Sequence, residues 1–287
     1  MKQSPLSPVL PSIIVINLDR DADRLQHMSG IFSALGLAFV RHPGILGRNV
    51  PTELSGYFQK RDGVFETSLK DGEIGCYASH LSVLREVAAG RHGEAAIVME
   101  DDLFIDDDFA ATILALMPVL SAGWDMVRLS NPSKRAYVDI APLVNGRCLV
   151  KYSKIPNGTG AYLVSREGAS KILSPQVRWR AFDEDIRRPW LYGLHVFGVI
   201  EPPVAPSSMT STIDALDPGR LAGRRSLLGR LRRVYLGESL GRLAFNIRTL
   251  GLQNWCRCCV QNAATRLRLR ARKPAPIGRR SAALPRG

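Results

Sequence analysis

Three consecutive acidic residues, Glu100, Asp101 and Asp102, stand directly after the short apolar run 95–99. A short apolar run that contains β-branched residues predicts a buried, central strand of a parallel sheet. Open α/β sheets bind their ligands at the carboxyl ends of the strands. The sequence therefore predicts an α/β fold whose ligand site includes these three carboxylates.

Carboxylates gathered at such a position repel one another and are costly to remove from water, so a cation should lie between them. Mg²⁺ or Mn²⁺ suits this position, because either ion accepts a few carboxylate oxygens and keeps other positions for water and phosphate. We expect Asp102 to be the first ligand, with Glu100 or Asp101 beside it. The alternative is an acidic loop that begins a helix, which is the interpretation we prefer for the acids at 106–108.

Positive charge is concentrated at the end of this chain of 287 residues. Residues 219–287 contain 17 of the 39 lysines and arginines but only one acid, Glu238, so they carry a net charge of +16. Residues 1–218 carry −3. The length suits one α/β domain with an appendage, and we expect a globular domain over 1–218 and a basic, helical tail over 219–287.

The sequence contains no apolar stretch long enough for a transmembrane helix and no signal-peptide pattern at its start. Its five cysteines are odd in number and unevenly spaced, which argues against a framework of disulfides. These features predict a cytoplasmic location.

Two early segments resemble parts of a ligand site. A strand at 13–18 should lead into a helix that ends near Gly36. Asn17, Arg20 and Arg24 would then lie at the end of the strand, where a nucleotide could bind. The same mixture of charges would also occur in a first helical turn that is exposed to solvent. A second helix should begin with Asp71 as its N-cap and continue to Gly90.

The second helix carries its own candidates. His80 lies beside its apolar stripe, which is more typical of a core residue than of a ligand. Gly72 and Gly75 permit a close backbone approach, including that of a phosphate.

The later elements are a helix at 109–120, a strand at 124–129, irregular loops over 131–156, and a strand at 161–164 followed by a helix capped by Ser165. The glycines of 157–160 indicate either tight packing or a simple turn. The second acidic cluster, 182–185, is followed by Arg187 and Arg188. It is either a set of surface ion pairs or the source of a general base, Asp183. A late strand should cover 194–200.

Taken together, these segments resemble glycosyltransferase family 25, the lipopolysaccharide and lipooligosaccharide biosynthesis group related to collagen galactosyltransferases. The matching pieces occur in one order: 15–20 with Arg24, 72–76 with 79–81, 100–102, 160–165 and Asp183. The chain departs from the family where Ala181 and Phe182 replace the Pro-Val that often precedes the aspartate.

The resemblance implies a Rossmann-like, A-type glycosyltransferase fold that uses a nucleotide sugar and usually Mn²⁺, commonly as an inverting galactosyltransferase with UDP-galactose. Asp102, with Glu100 or Asp101, would hold the metal, and Asp183 would deprotonate the acceptor hydroxyl of a glycan or glycolipid. The nucleotide sugar would contact Asn17, Arg20, Arg24, Glu73, Ser79 and His80.

The basic tail permits two further interpretations. Apolar residues at helical spacing among arginines, from Leu227 to Tyr235, favour a helix on the anionic inner face of a membrane. Nucleic acid is the alternative, but the tail has few aromatic residues and no recognisable binding motif. A degenerate transferase retained as a scaffold is a third possibility.

Overall fold

The structure, a computed structural model, describes residues 10–59, 67–207 and 234–271. Its strands are β1 (Ser12–Asn17), β2 (Val40–Pro43), β3 (Ala95–Met99), β4 (Leu103–Ile105), β5 (Met126–Arg128), β6 (Tyr137–Pro142), β7 (Cys148–Tyr152), β8 (Ala161–Ser165), β9 (Val196–Ile200) and β10 (Val204–Pro206). Its helices are α1 (Ala22–Ala34), α2 (Thr52–Ser55), α3 (Asp71–Ala88), α4 (Phe109–Leu116), α5 (Arg166–Ile172), α6 (Phe182–Ile186), α7 (Val234–Leu250) and α8 (Leu252–Ala271). The expected α/β fold is confirmed.

The central sheet has eight strands in the order β2-β1-β3-β8-β5-β9-β7-β6, and β4 and β10 form a separate antiparallel pair. Strands β2, β1 and β3 are parallel, but β8 is antiparallel to both β3 and β5. The expectation of a parallel sheet around 95–99 is therefore wrong on one side of β3. Residues 131–156 were expected to be irregular, yet they contain the antiparallel hairpin of β6 and β7.

Strand β3 is apolar throughout because helices cover both of its faces. All five of its residues are buried. Ala96 and Val98 belong to the cluster that contains the apolar face of α3, whereas Ile97 and Met99 pack with residues of α1 and α4. A strand covered on both faces has no position for a polar side chain, so the first acidic residues come where it ends.

The helix boundaries agree with those predicted from the sequence to within a few residues. Gly36 follows α1 with a φ of +65°, which only glycine adopts readily. Ser165 caps α5, since its Oγ accepts from the Gly168 amide at 3.0 Å. Asp71 is the first helical residue rather than the N-cap, because Lys70 takes that position and its amide donates to the Glu73 carboxylate at 3.0 Å.

The described part of the basic tail packs on the sheet. The Asn262 carboxamide accepts from the Ala136 amide at 3.0 Å, the Asn246 carboxamide donates to the Ser153 carbonyl at 3.3 Å, and Cys258 is buried. The apolar spacing at 227–231 and the expected boundary at residue 218 lie outside the described residues. Among the helices described, none combines the length and apolar character needed to cross a bilayer.

Gly75 provides a test of this packing, because a Cβ there would lie 2.5 Å from the Ile45 carbonyl oxygen and 2.8 Å from the Gly47 amide nitrogen. We expect Gly75→Ala to lower the free energy of unfolding by about 1–3 kcal/mol, the usual cost of forced overpacking. Chemical denaturation would measure it. Gly30→Ala is the matched control, since nothing lies within 4 Å of a Cβ there in α1, and it should be neutral or stabilising. A Gly75→Ala protein as stable as the parent would contradict the packing.

Candidate functional site

The candidate site lies where β1 and β3 end side by side. The two strands are parallel, so Asn17 and Glu100 reach the same edge of the sheet. Asn17 is buried, and its carboxamide nitrogen donates to the Asp101 carboxylate at 2.7 Å and to the Asp21 carbonyl at 3.0 Å. Its carboxamide oxygen accepts from Arg41 at 3.0 Å. Asn17 therefore joins β1 to the acidic segment.

Asp101 serves as a link between elements. One of its oxygens accepts from Asn17, and the other accepts from Arg24 Nη1 at 2.9 Å. The same Arg24 nitrogen lies 3.4 Å from an Asp102 oxygen. Because both Asp101 oxygens already have donors, Asp101 is the least available of the three predicted metal ligands.

Glu100 contacts α3 and the loop 157–160 rather than β1 and α1. Its carboxylate accepts from the Thr159 hydroxyl at 3.1 Å and lies 3.6 Å from His80 Nε2. Burial opposes the ionisation of Glu100, but His80, Thr159 and the charge of Arg128 outweigh that effect and hold its pKa below the ordinary value. Glu100 is therefore a stable carboxylate at neutral pH.

Asp102 behaves in the opposite way. Burial, followed by repulsion from Glu100, raises the pKa of Asp102 to about 6, although Arg24 pulls in the other direction. A cavity of about 140 Å³ is lined by the three acids together with Arg20, Arg24, His80 and the loop 44–47. Asp102 is thus an acid in this cavity whose charge is under-compensated, which is the electrostatic condition for cation binding.

The donor atoms fit a hard divalent cation. Cys76, His80 and Glu100 each place a ligand atom within 4.8 Å of the others, but a thiol coordinates as the thiolate. Burial and the charges of Glu100, Asp183 and Asp102 raise the pKa of Cys76 well above its ordinary value. The oxygens of Asp102 and Glu100 are therefore the better ligands, and they suit Mg²⁺ or Mn²⁺.

His80 is a packed residue at the floor of this cavity. It is 1% exposed, its ring stacks on Phe182 at 4.1 Å between centroids, and its Nδ1 lies 3.0 Å from the Tyr162 hydroxyl. The interpretation of His80 as a core residue agrees with this position. Its second ring nitrogen nevertheless faces Glu100, so it also supports an acid of the site.

The loop 157–160 joins the two acidic clusters. Thr159 donates to Glu100, and the Gly158 amide donates to an Asp183 oxygen at 3.2 Å. A Cβ at Gly158 would lie 2.5 Å from the Asn131 carboxamide, and one at Gly160 would lie 2.8 Å from Leu103. Of the two interpretations of these glycines, tight packing is confirmed.

Arg128 is a residue of the site that the sequence analysis missed. It ends β5 fully buried, and its Nη2 donates to the Gly158 carbonyl. Its Nε and Nη1 have no hydrogen-bond partner among the residues that the structure describes. Burial lowers the pKa of Arg128, while Tyr152, Asp183 and Glu100 act to raise it. An arginine at the end of an otherwise apolar strand was the available signal.

The remaining predicted residues divide into two groups. Arg20 lines the cavity and lies 3.7 Å from Asp21. Ser79 also lines the cavity. Its hydroxyl accepts from the Ile45 amide and donates to the Gly75 carbonyl, both at 2.7 Å, so Ser79 holds the loop 44–47 against α3. Glu73 caps α3 and is not among the residues that line the cavity.

Comparisons with a family model and with known proteins agree on one family. The family model described as Glycosyltransferase family 25 (LPS biosynthesis protein) matches residues 10–186. The chain is similar to a glycosyltransferase 25 family member of Aedes aegypti, with 26% identity over 194 residues that cover 64% of this chain and 31% of the relative.

Two further relatives differ in what their names say about activity. The chain is similar to procollagen galactosyltransferase 1-B of Xenopus laevis, with 29% identity over 68% of this chain and 33% of the relative. It is also similar to inactive glycosyltransferase 25 family member 3 of Homo sapiens, with 31% identity over 64% of this chain and 32% of the relative. The chain spans about a third of the length of these relatives.

The electrostatics of Asp102 predict a pH-dependent stability. Its pKa in the folded protein, about 6, lies above the unfolded value near 4, so protonation favours folding. In EDTA, Asp102→Asn should raise the free energy of unfolding at pH 7.5 by about 1–3 kcal/mol. The gain should shrink as the pH falls from 6 towards 4, because the parent then carries a protonated Asp102.

Denaturation curves at pH 7.5 and 5.0 would measure this effect. Asp107→Asn makes the same carboxylate-to-amide change at an exposed position and is the matched control. Equal stability changes for Asp102→Asn at both pH values would contradict the assignment.

Proposed function

Since the chain belongs to glycosyltransferase family 25, we propose that it transfers a sugar from a nucleotide sugar to a glycan hydroxyl. The donor that we propose is UDP-galactose and the acceptor is a glycan of the lipopolysaccharide or lipooligosaccharide type. The observation that carries the proposal is the cavity at the carboxyl edge of the sheet, where Asp102 and Glu100 stand beside Arg20 and Arg24. The name of the Xenopus laevis relative, a procollagen galactosyltransferase, supports galactose.

On the donor side, the arginines of the cavity would bind the diphosphate, because guanidinium groups match phosphate oxygens in charge and geometry. A divalent cation held by Asp102 and Glu100 would neutralise the charge that develops on the departing diphosphate. Arg24 already lies between Asp101 and Asp102, so these groups are arranged before the donor arrives.

On the acceptor side, Asp183 would take the proton of the attacking hydroxyl. The hydroxyl oxygen forms a bond to the anomeric carbon, the bond from that carbon to the diphosphate oxygen breaks, and UDP leaves with the electron pair. Attack on the face opposite the leaving group inverts the anomeric centre. The half-buried Asp183 is held by the Gly158 amide, which would fix its orientation.

A catalytically degenerate protein that acts as a scaffold is the competing proposal. It is favoured by the Homo sapiens relative, which is named inactive and is 31% identical. The two proposals differ in whether a sugar nucleotide is consumed.

Hydrolysis of a panel of UDP-sugars with Mn²⁺ and no acceptor would test the proposal. We expect UDP-galactose to be consumed and EDTA to stop the reaction. Asp102→Ala should abolish activity and should weaken UDP binding mainly when Mn²⁺ is present. Asp183→Asn should leave donor affinity near that of the parent but lower turnover by about 100-fold or more, the scale of a lost general base.

Asp107→Ala is the control for this experiment, because Asp107 is exposed and does not line the cavity. A parent protein that consumes none of the sugars would favour the scaffold. Equal metal-dependent UDP affinity in Asp102→Ala and the parent would contradict the metal ligand, and near-normal turnover by Asp183→Asn would contradict the base.

Arg128 should act as a positioning residue in this reaction, since it holds Gly158, which in turn holds Asp183. Arg128→Met should lower kcat by about 10–100-fold, the cost of slight misplacement of a reacting group. Donor KM should change little. Stability should fall, because Glu100 and Asp183 lose a compensating charge and the Gly158 carbonyl loses its donor, so kcat is measured at a temperature where the variant is folded. Arg128→Lys should recover part of kcat, and a parent-like kcat in Arg128→Met would refute the role.

We also propose that the protein lies on the inner face of a membrane through its basic tail. Among the side chains of α7 and α8 that the structure describes, five large apolar ones are exposed: Leu240, Leu243, Leu252, Val260 and Leu267. The last three, separated by eight and seven residues, lie on one face of α8. Arg257 and Arg266 are exposed on the same helix. Apolar and basic side chains on one helix suit an anionic lipid surface.

Binding to vesicles that contain phosphatidylglycerol would test the location. The double variant Leu252→Glu and Val260→Glu should reduce binding several-fold, because each change adds negative charge and removes apolar area, and added salt should weaken binding by the parent. Val40→Glu, at an exposed valine of β2, is the control. Parent-like vesicle binding by the double variant would contradict the proposal.

A further inference from the structure

A second and larger cavity lies between α7 and strands β7 and β9 of the sheet. Its volume is about 580 Å³, within the usual range for small-molecule sites. Residues of β7 and β9 line one side, residues 187–190 line another, and α7 closes it with residues between Ser239 and Leu250. None of the residues proposed to bind the donor belongs to it.

The lining of this cavity is positively charged. No aspartate or glutamate is among the described residues that line it. Six cationic side chains do line it: Lys151, Lys154, Arg187, Arg188, Arg242 and Arg248. Some have local partners, since Lys151 donates to the Thr249 carbonyl at 3.4 Å and Arg187 donates to the Ile155 carbonyl at 3.1 Å. These neutral carbonyls leave the charges of Lys151 and Arg187 unchanged, whereas Arg188 Nη1 lies 4.0 Å from a Glu184 carboxylate oxygen and is partly compensated.

The effect of this crowding is visible at Lys154. Partial burial of its ammonium lowers the pKa of Lys154, and the charges of Arg187, Arg135, Arg242 and Arg266 lower it further. Like charges held this close cost folding free energy that a bound anion would recover. The cavity is therefore complementary to a ligand with several negative charges.

An aromatic wall adds a second feature. The rings of Trp190 and Phe245 lie 6.2 Å apart between centroids, and both line the cavity. A Cβ at Gly241 would lie 3.2 Å from Trp190 Cδ1, so the glycine permits close packing of the indole on α7. Aromatic faces pack against the C–H faces of sugar rings. Cations beside such a wall match a phosphate attached to a saccharide.

We propose that this cavity binds a phosphorylated saccharide and is the acceptor subsite of the protein. This assignment rests on the proposed function. Arg187 and Arg188 directly follow the helix that carries Asp183, and the Arg187 amide donates to the Asp183 carbonyl at 3.3 Å. This is a main-chain bond, so Arg187 lies one helical turn from Asp183, and a phosphate bound by Arg187, Lys154 and Arg242 would hold the acceptor within that distance along the chain of the proposed base. Its source is a free sugar phosphate or the phosphorylated glycan of a glycolipid.

Calorimetry with glucose 1,6-bisphosphate, glucose and inorganic phosphate would test the binding chemistry. We expect the bisphosphate to bind several-fold more tightly than inorganic phosphate, and glucose not to bind measurably. Lys154→Ala and Arg242→Ala should each weaken the bisphosphate by about tenfold, the scale of one charge-assisted hydrogen bond. Arg91→Ala, at an exposed arginine outside the cavity lining, should match the parent.

Several outcomes would overturn the proposal. Equal affinity for the bisphosphate and inorganic phosphate would show a simple anion site, and equal bisphosphate affinity in parent and variants would place the ligand elsewhere. Tighter binding of a short single-stranded RNA, lost in Arg242→Ala, would assign the cavity to nucleic acid.

Two further measurements distinguish the possible sources of the phosphorylated saccharide and separate this proposal from the proposed function. Vesicles that carry a phosphorylated glycolipid should compete with the bisphosphate if the source is lipid-linked, whereas phosphatidylglycerol vesicles should not. Hydrolysis of UDP-galactose by the parent protein reports on the proposed function alone. Bisphosphate binding without hydrolysis would leave the phosphosugar site standing and remove its role as the acceptor subsite. Hydrolysis without bisphosphate binding would refute the cavity assignment only.

Discussion

Carboxylates converge at the carboxyl edge of the sheet, and two arginines compensate their charge. Arg24 joins Asp101 and Asp102, and buried Arg128 lies close enough to Glu100 and Asp183 for their charges to affect its pKa. Without these cations, the repulsion among acids in a partly desolvated edge would oppose folding. The compensation is incomplete at Asp102, and this deficit is the basis for the cation site that we propose.

The loop 157–160 makes the two acidic clusters one site. Its threonine holds Glu100, while its Gly158 peptide accepts from Arg128 through the carbonyl and donates to Asp183 through the amide. The glycines permit this, because side chains at 158 and 160 would collide with Asn131 and Leu103. Such a closely packed loop would keep constant the distance between the proposed metal ligand Glu100 and the proposed base Asp183, which sugar transfer would require.

The described C-terminal helices pack at the β6 edge of the sheet. They bond to the β6–β7 hairpin through Asn246 and Asn262, and α7 forms a wall of the basic cavity. Charge in this part of the chain therefore has two distinct environments. Arg242 lines the basic cavity, whereas Arg257 and Arg266 are exposed outside its lining. A single role for all the basic residues of the tail does not follow from their number.

The sequence by itself determined the elements whose signals are local. The apolar run of β3, the glycine after α1 and the serine cap of α5 depend on burial periodicity and on hydrogen bonds within a few residues. The acidic residues after β3 were also predicted to lie at a ligand-binding edge, because a strand covered on both faces ends where its polar residues begin.

Only the tertiary structure decided which acids do not have a donor on both oxygens and so remain available to a ligand, and which direction each strand takes in the sheet. Asn17 and Asp101 are 84 positions apart in the chain, so no local pattern shows that Asp101 is already bonded. The antiparallel direction of β8, the hairpin within 131–156, the link from Arg128 to Asp183 and the packing of the tail are likewise contacts between distant segments. Such contacts depend on how the whole chain closes around its core, whereas periodicity and capping depend on neighbours in sequence.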